Sequence, residues 1–229
     1  MSIKGLLFDF NGTLFFDSKY HLDAFNIFFD KYGLERRDRE YVIRNIFGRS
    51  NRAIFLEQFC PDATDSEIEA FESFKEHLYM DSCLKNPQDL KLCDGAEDML
   101  DYLKEHSVPY CIATGSPLEN VKFYFEHLGL DRWFTYDNIV YTDGTFKGKP
   151  EPDCYILAAE RLGIKAEECL IFEDGTSGIM SADAANAAGV VAIYDKDLPS
   201  PLCDGIWVDL VVHSFKDWKE ILSHYKIWR

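Results

Sequence analysis

No apolar run in the chain approaches the ~20 residues that cross a bilayer, so nothing in it reads as a membrane span. The opening residues, Met1-Ser-Ile-Lys, carry no signal-peptide pattern. Positive charge is scarce: 24 Lys and Arg stand against 40 Asp and Glu, a formal net charge of −16. That balance argues against binding a nucleic-acid backbone or an anionic membrane surface. A phosphate-bearing ligand would need local positive charge or a bound cation. Cysteine is present but unorganised. Cys60, Cys83, Cys93, Cys111, Cys154, Cys169 and Cys203 are odd in number and form no C-x-x-C pair. They read as small buried hydrophobes of a reducing compartment, not as a disulfide framework or a zinc site. There is no repeat and no low-complexity tract. The expectation is a soluble, cytoplasmic protein, a monomer or weak dimer, with no nucleic-acid or membrane partner.

What the chain does have is core material: 47% hydrophobic and 15% aromatic residues in a length of 229. That is enough for one large domain, or a domain with an insertion. Gly5-Leu6-Leu7-Phe8 is an unbroken apolar run too short for a helix, which predicts a strand buried on both faces. It ends in Asp9, and Asn11-Gly12-Thr13 follows as a turn. Residues 17–87 change character. Ala24, Phe25, Phe28, Phe29 and Tyr32 recur at helical spacing before Gly33, and 41–47, 51–59 and 66–84 continue in the same style. The last of these carries Ile68, Phe71, Phe74 and Leu78 on one face, with Asp65 or Ser66 as its N-cap. From Leu90 strands and helices alternate. Strands are expected at 109–114, 139–141, 169–172, 190–194 and 210–212. Helices are expected at 95–106, 117–128, 153–162, 176–188 and 215–225. The predicted fold is α/β, a doubly wound parallel-sheet (Rossmann-like) core with an inserted all-helical cap. The core would comprise residues 1–15 and 87–229, and the cap residues 16–86.

Four polar strand-end positions then line up: Asp9 with Asn11, Thr114 with Ser116, Lys149, and Glu173 with Asp174. In a parallel sheet such ends converge along one edge, where α/β proteins place ligands. Asp9, Glu173 and Asp174 would repel one another unless a cation or protons neutralised them. Hard carboxylate oxygens suit Mg²⁺. Thr114, Ser116 and the amides of a Gly115-Ser116-Pro117 turn at a helix start could hold phosphate oxygens, and Lys149 adds a point charge. Taken singly, Thr114 or Glu173-Asp174 could merely cap a helix, and Lys149 could be an ordinary loop lysine. Their order makes the joint reading the stronger one.

At these positions the sequence resembles the haloacid dehalogenase-like hydrolase superfamily. The run Asp9-Phe10-Asn11-Gly12-Thr13 matches its first motif, Thr114 the second, Lys149-Pro150 the third and Glu173-Asp174 the fourth. The likeness extends to the helical insertion, as in the phosphoglycolate phosphatase and β-phosphoglucomutase branch. The resemblance implies an Mg²⁺-dependent phosphatase on a small phosphorylated metabolite. Asp9 would form an aspartyl-phosphate. Thr114 and Lys149 would hold the phosphoryl group, and Lys149 would keep Asp9 ionised; apart from the resemblance, Gly115 and Ser116 read as phosphate contacts, and Arg49 of the cap loop could contact an anionic substrate. Asp9, the backbone carbonyl of Asn11, Glu173 and Asp174 would hold the metal.

Two departures stand out. The helix after the acidic pair is read as about three residues longer than is usual for the family, with Gly175 where Ser is common. More seriously, Asn11 stands where family phosphatases carry a second Asp that protonates the leaving oxygen and then activates water. A neutral amide does neither. Glu173-Asp174 argues against a dehalogenase, since that branch carries Tyr at the position of Asn11 and needs no metal. A phosphonate-cleaving enzyme is excluded because 47–52, Phe-Gly-Arg-Ser-Asn-Arg, lacks a lysine to form an imine. The alternatives to a working phosphatase are an impaired homologue or engineered trap that binds metal and phosphate with little turnover, or a β-phosphoglucomutase-like phosphomutase.

Overall fold

The computed structural model describes residues 3–196, 200 and 206–227. Six strands form one wholly parallel sheet: β1 (Gly5–Phe8), β2 (Tyr110–Pro117), β3 (Ile139–Thr142), β4 (Cys169–Glu173), β5 (Gly189–Ile193) and β6 (Leu210–Val212). Their spatial order is β3-β2-β1-β4-β5-β6. All four residues of β1 are buried, because β1 is central and covered on both faces. Leu6 and Phe8 join one hydrophobic cluster and Leu7 the other, as the alternation of a strand requires. The chain builds outward from β1 through β2 to β3, then returns to the other side of β1 for β4. The crevice beyond the carboxyl ends of β1 and β4 is thus the point where the winding reverses.

Between β1 and β2 the chain is helical: α1 (Ser18–Tyr32), α2 (Arg39–Asn45), α3 (Asn51–Ile54, continued as a π turn to Phe59) and α4 (Asp65–Leu84). These helices share a core of their own, built from Phe25, Phe28, Phe29, Val42, Ile46, Ile54, Phe55 and Ile68. Gly33 ends α1 at φ 64°, a left-handed cap that glycine adopts freely. The remaining helices are α5 (Ala96–Glu105), α6 (Leu118–Leu128), α7 (Asp153–Arg161), α8 (Thr176–Ala184) and α9 (Trp218–His224).

The differences from the sequence reading are local. The N-cap of α4 is Thr64, not Asp65 or Ser66, because Thr64 and Glu67 form a reciprocal capping box. Of the expected apolar face only Ile68 is fully buried, and α4 buries Lys75, Glu76, Tyr79 and Cys83 as well. Strand β2 runs past Thr114 to Pro117, with a register shift against β3 after Ala113. Helix α8 stops at Ala184, four residues early. Asn186 turns left-handed at φ 56°, and the Ala188 N–H is already bonded to Cys169 O on the way into β5. At nine residues, α8 is therefore not an extended helix. Six cysteines are free thiols, five of them buried and Cys60 half-buried, and Cys203 lies outside the described residues. No helix among the described residues is long and apolar enough to cross a membrane.

Candidate active site

The parallel ladder continues one residue beyond β1, with the Asp9 N–H donating to Phe172 O at 2.9 Å. This fixes the Asp9 carboxylate at the switch point, next to Glu173 and Asp174 at the end of β4. Lys149, from the loop before α7, reaches in and donates to Asp9 Oδ1 and Glu173 Oε1, each at 2.6 Å. All four side chains are buried. Oxygens of Asp9, Glu173 and Asp174 lie within 4.8 Å of one another.

Burial raises the Asp9 carboxyl to about 7; Lys149 opposes this and Glu173 reinforces it. Lys149 pulls the Asp9 carboxyl toward its ionised form and divides its charge between Asp9 and Glu173. Asp174 is raised well above the usual carboxylate range by burial, Glu173 and Asp9. Burial alone would lower the Lys149 ammonium, but the Asp9 and Glu173 charges carry it well above its ordinary value. Three buried carboxyls thus share one ammonium, and a further positive charge would complete the balance. Two details mark where it fits. Asp174 Oδ1 is buried without any hydrogen-bond partner. Gly12, at φ 79°, leaves room for the same carboxylate, since a Cβ there would come within 1.9 Å of Asp174 Oδ2. An all-oxygen donor set of this kind suits a hard divalent cation.

Asn11 is held from every side. Its Nδ2 donates to Asp17 Oδ2 at 2.6 Å and to the Tyr124 hydroxyl at 2.7 Å, and its Oδ1 accepts from Ser116 Oγ at 2.7 Å. Thr114 Oγ1 is 3.4 Å from the same Oδ1 and accepts the Ser116 N–H at 3.1 Å. The segment 114–116 is still strand, with α6 starting at Leu118, so the predicted turn of free amides does not form there. Thr114, Gly115, Ser116 and Arg49 do line one cleft with Asp9, Asn11 and Asp174. Arg49 enters it from the loop before α3 and pairs with Glu57.

Several residues of this cleft were not singled out by the sequence. Asp17, wholly buried, accepts from the Gly12 N–H at 3.0 Å as well as from Asn11 and the Tyr79 hydroxyl. His21 stacks on Tyr79 with ring centroids 3.9 Å apart, and its Nδ1 accepts from Lys75 Nζ at 2.8 Å. Lys75 also donates to Glu76 Oε1 at 2.7 Å, and Asn120 Nδ2 to Glu76 Oε2 at 2.6 Å, tying α4 to α6. A signal for them existed: Lys75 and Glu76 fall seven and eight residues after Ile68, on the same side of the helix.

Burial would raise the Glu76 carboxyl, but Lys75, His21 and Asn120 outweigh it and hold it at about 2. A depressed folded value contributes stability above the unfolded range, near 4.5, which is lost as pH falls through 2. Glu76→Gln should therefore cost about 3 kcal/mol at pH 7, the loss expected when a buried pair is broken. Urea melts from pH 7 to 2.5 should show the gap closing on the acid side. A gap that is constant with pH would mean that the Glu76 charge is not what stabilises the contact.

A model of haloacid dehalogenase-like hydrolases matches residues 3–186. A phosphorylated carbohydrates phosphatase of Thermotoga maritima is 27% identical over 96% of this chain and 91% of its own length. Hexitol phosphatase A of Escherichia coli is 28% identical over 94% and 93%. Among solved structures, a family IA, variant 3 hydrolase of Entamoeba histolytica superposes with a TM-score of 0.83 at 33% identity, covering 98% of this chain and 100% of that one. A β-phosphoglucomutase of Clostridium difficile shares the fold at a TM-score of 0.78 and 21% identity, over 96% or more of both chains (98% of this one and 97% of the other). With the switch-point carboxylates and the helical insertion, the family match makes the chain a haloacid dehalogenase-like hydrolase, an enzyme whose curated relatives are phosphatases.

Proposed function

We propose that this enzyme is an Mg²⁺-dependent phosphatase of small phosphorylated metabolites, carbohydrate phosphates being the class its relatives favour. The observation that carries the reading is the buried Asp9–Lys149–Glu173 chain beside the unpartnered Asp174 oxygen. Asp9 and Asp174, with the Asn11 carbonyl, are the groups that would hold Mg²⁺, and Glu173 lies close by. When bound, the ion supplies positive charge against the phosphoryl oxygens and keeps Asp9 ionised. The Asp9 carboxylate attacks phosphorus, the bond from phosphorus to the leaving oxygen breaks, and that oxygen keeps the electron pair. Water then cleaves the aspartyl-phosphate and releases inorganic phosphate. Lys149 holds the transferring group, and Thr114 and Ser116 border it. Most catalysis of phosphoryl transfer lies in such positioning and charge stabilisation.

Asn11 supplies no proton. Leaving groups that are weak bases, such as aryl and acyl phosphates, should therefore react best, and phosphorylated Asp9 should accumulate. Phosphate release over a panel of phosphorylated metabolites, with Mg²⁺ and with EDTA, tests the reading. Release that is independent of Mg²⁺ would reject it. By mass action, Mg²⁺ at 100 times its Kd should stabilise the fold by about 2.7 kcal/mol. Thermal melts should show that shift in the wild type and lose it in Asp174→Ala; an unchanged shift in the variant would remove Asp174 from the metal site.

A further inference from the structure

Glu173 and Asp174 are neighbours in sequence, yet their surroundings differ. Glu173 is heavily engaged: its Oε1 accepts from Lys149 Nζ at 2.6 Å and from the Tyr155 hydroxyl at 2.9 Å, and its Oε2 accepts from the Gly175 N–H at 2.9 Å. A carboxylate offers about four acceptor directions, and three are taken here. Asp174 Oδ1 has no partner at all. Backbone shape reinforces the contrast. Gly178, in the first turn of α8, presses so closely that a Cβ there would lie 1.5 Å from Glu173 Oε1. Tyr155, fully buried on α7, also sets its ring face under the ammonium, with Lys149 Nζ 4.9 Å from the centroid.

We propose that Tyr155 is a positioning residue that divides the work of the two acids. Its hydroxyl and the α8 backbone commit Glu173 to anchoring Lys149 against Asp9, and leave Asp174 to ligate the metal. Glu173 is then not a metal ligand of this enzyme, which revises the four-member set expected from sequence. The inference rests on the metal-dependent reading above, and deepens it.

The test is Mg²⁺ titration by calorimetry of the metal-stripped full chain, alongside steady-state kinetics on an aryl phosphate. Asp174→Asn should weaken Mg²⁺ binding at least about 30-fold, whereas Glu173→Gln and Tyr155→Phe should stay within about 3-fold of wild type; losing a ligand or its support costs 10–100-fold. Tyr155→Phe should lower kcat about 10-fold with KM nearly unchanged, because Lys149 is held less firmly where charge develops. A Glu173→Gln loss as large as that of Asp174→Asn would make Glu173 a ligand and overturn the division, even if Tyr155→Phe did not fold. A Tyr155→Phe enzyme with wild-type kcat would reduce the phenol to core filling and equally overturn it. Wild-type Mg²⁺ affinity in Asp174→Asn would instead bring down the metal reading itself, and this inference with it.

Discussion

Asn11→Asp raises kcat on alkyl and sugar phosphates by about 10²–10⁴-fold, the range expected of one positioned acid–base group, whereas on aryl phosphates it leaves phosphorylation of Asp9 little changed and speeds only hydrolysis of the aspartyl-phosphate. The structure adds a cost. The Asn11 amide donates to the Asp17 carboxylate at 2.6 Å, inside a network that includes Tyr79 and Tyr124. A carboxyl placed there faces a second carboxylate in a partly buried site, so one of the two must carry a proton. Its folded-state value is raised, and stability gained from it is present at low pH and lost as pH rises through that value. A raised carboxyl is also the form that can protonate an alkoxide. The variant should therefore be faster on poor leaving groups and melt lower than wild type at pH 8, with the difference shrinking at pH 5.5. Kinetics on one aryl and one sugar phosphate, with melts at both pH values, check the two halves. Equal rates on the sugar phosphate would mean that another group donates, the His21 imidazole being in reach, with Nε2 3.4 Å from Asn11 Nδ2.

Much of this arrangement was legible in the sequence because its parts are local. Four apolar residues followed by Asp9 are enough to predict a central strand and an acid at its end. The alternation from Leu90 onward predicts the parallel sheet that gathers Thr114, Lys149, Glu173 and Asp174 near that acid. What could not be read depends on distant pairings. Asn11 looks like an isolated substitution until Asp17, Tyr79 and Tyr124, which is 113 residues away, are seen to close around it. Lys75 and Glu76 lie on the Ile68 side of α4, yet their charge makes them read as solvated, because charged side chains are buried only when partners from other elements meet them. Those partners, His21 and Asn120, come from α1 and α6. The early end of α8 is a smaller case: alanines favour continuing the helix, and the bond from Ala188 N–H to Cys169 O of β4 overrides them.

Lys149→Met should be the most damaging single change outside Asp9. One ammonium answers Asp9 and Glu173 at 2.6 Å each, and its side chain is only 2% exposed. Removing one member of a buried charge group costs about 3–5 kcal/mol, because the partners are left uncompensated. Here the Asp9 carboxyl, already raised by burial and by Glu173, loses the charge that opposes the rise. Its folded-state value climbs further without the lysine, so the variant keeps more of its stability at low pH and loses it as pH rises. Melts should show a deficit of a few kcal/mol at pH 8, a smaller one at pH 5.5, and partial recovery with Mg²⁺, which supplies positive charge to Asp9. Turnover should fall about 10³-fold, comparable to losing one donor aimed at developing charge. Methionine roughly matches the lysine stem in length, so packing around Tyr155 is retained and the effect reports on charge. A deficit at pH 8 no larger than at pH 5.5 would show that the buried carboxyls do not depend on Lys149. In that case the ammonium would serve substrate binding alone, and the loss would appear in KM rather than in kcat and stability together.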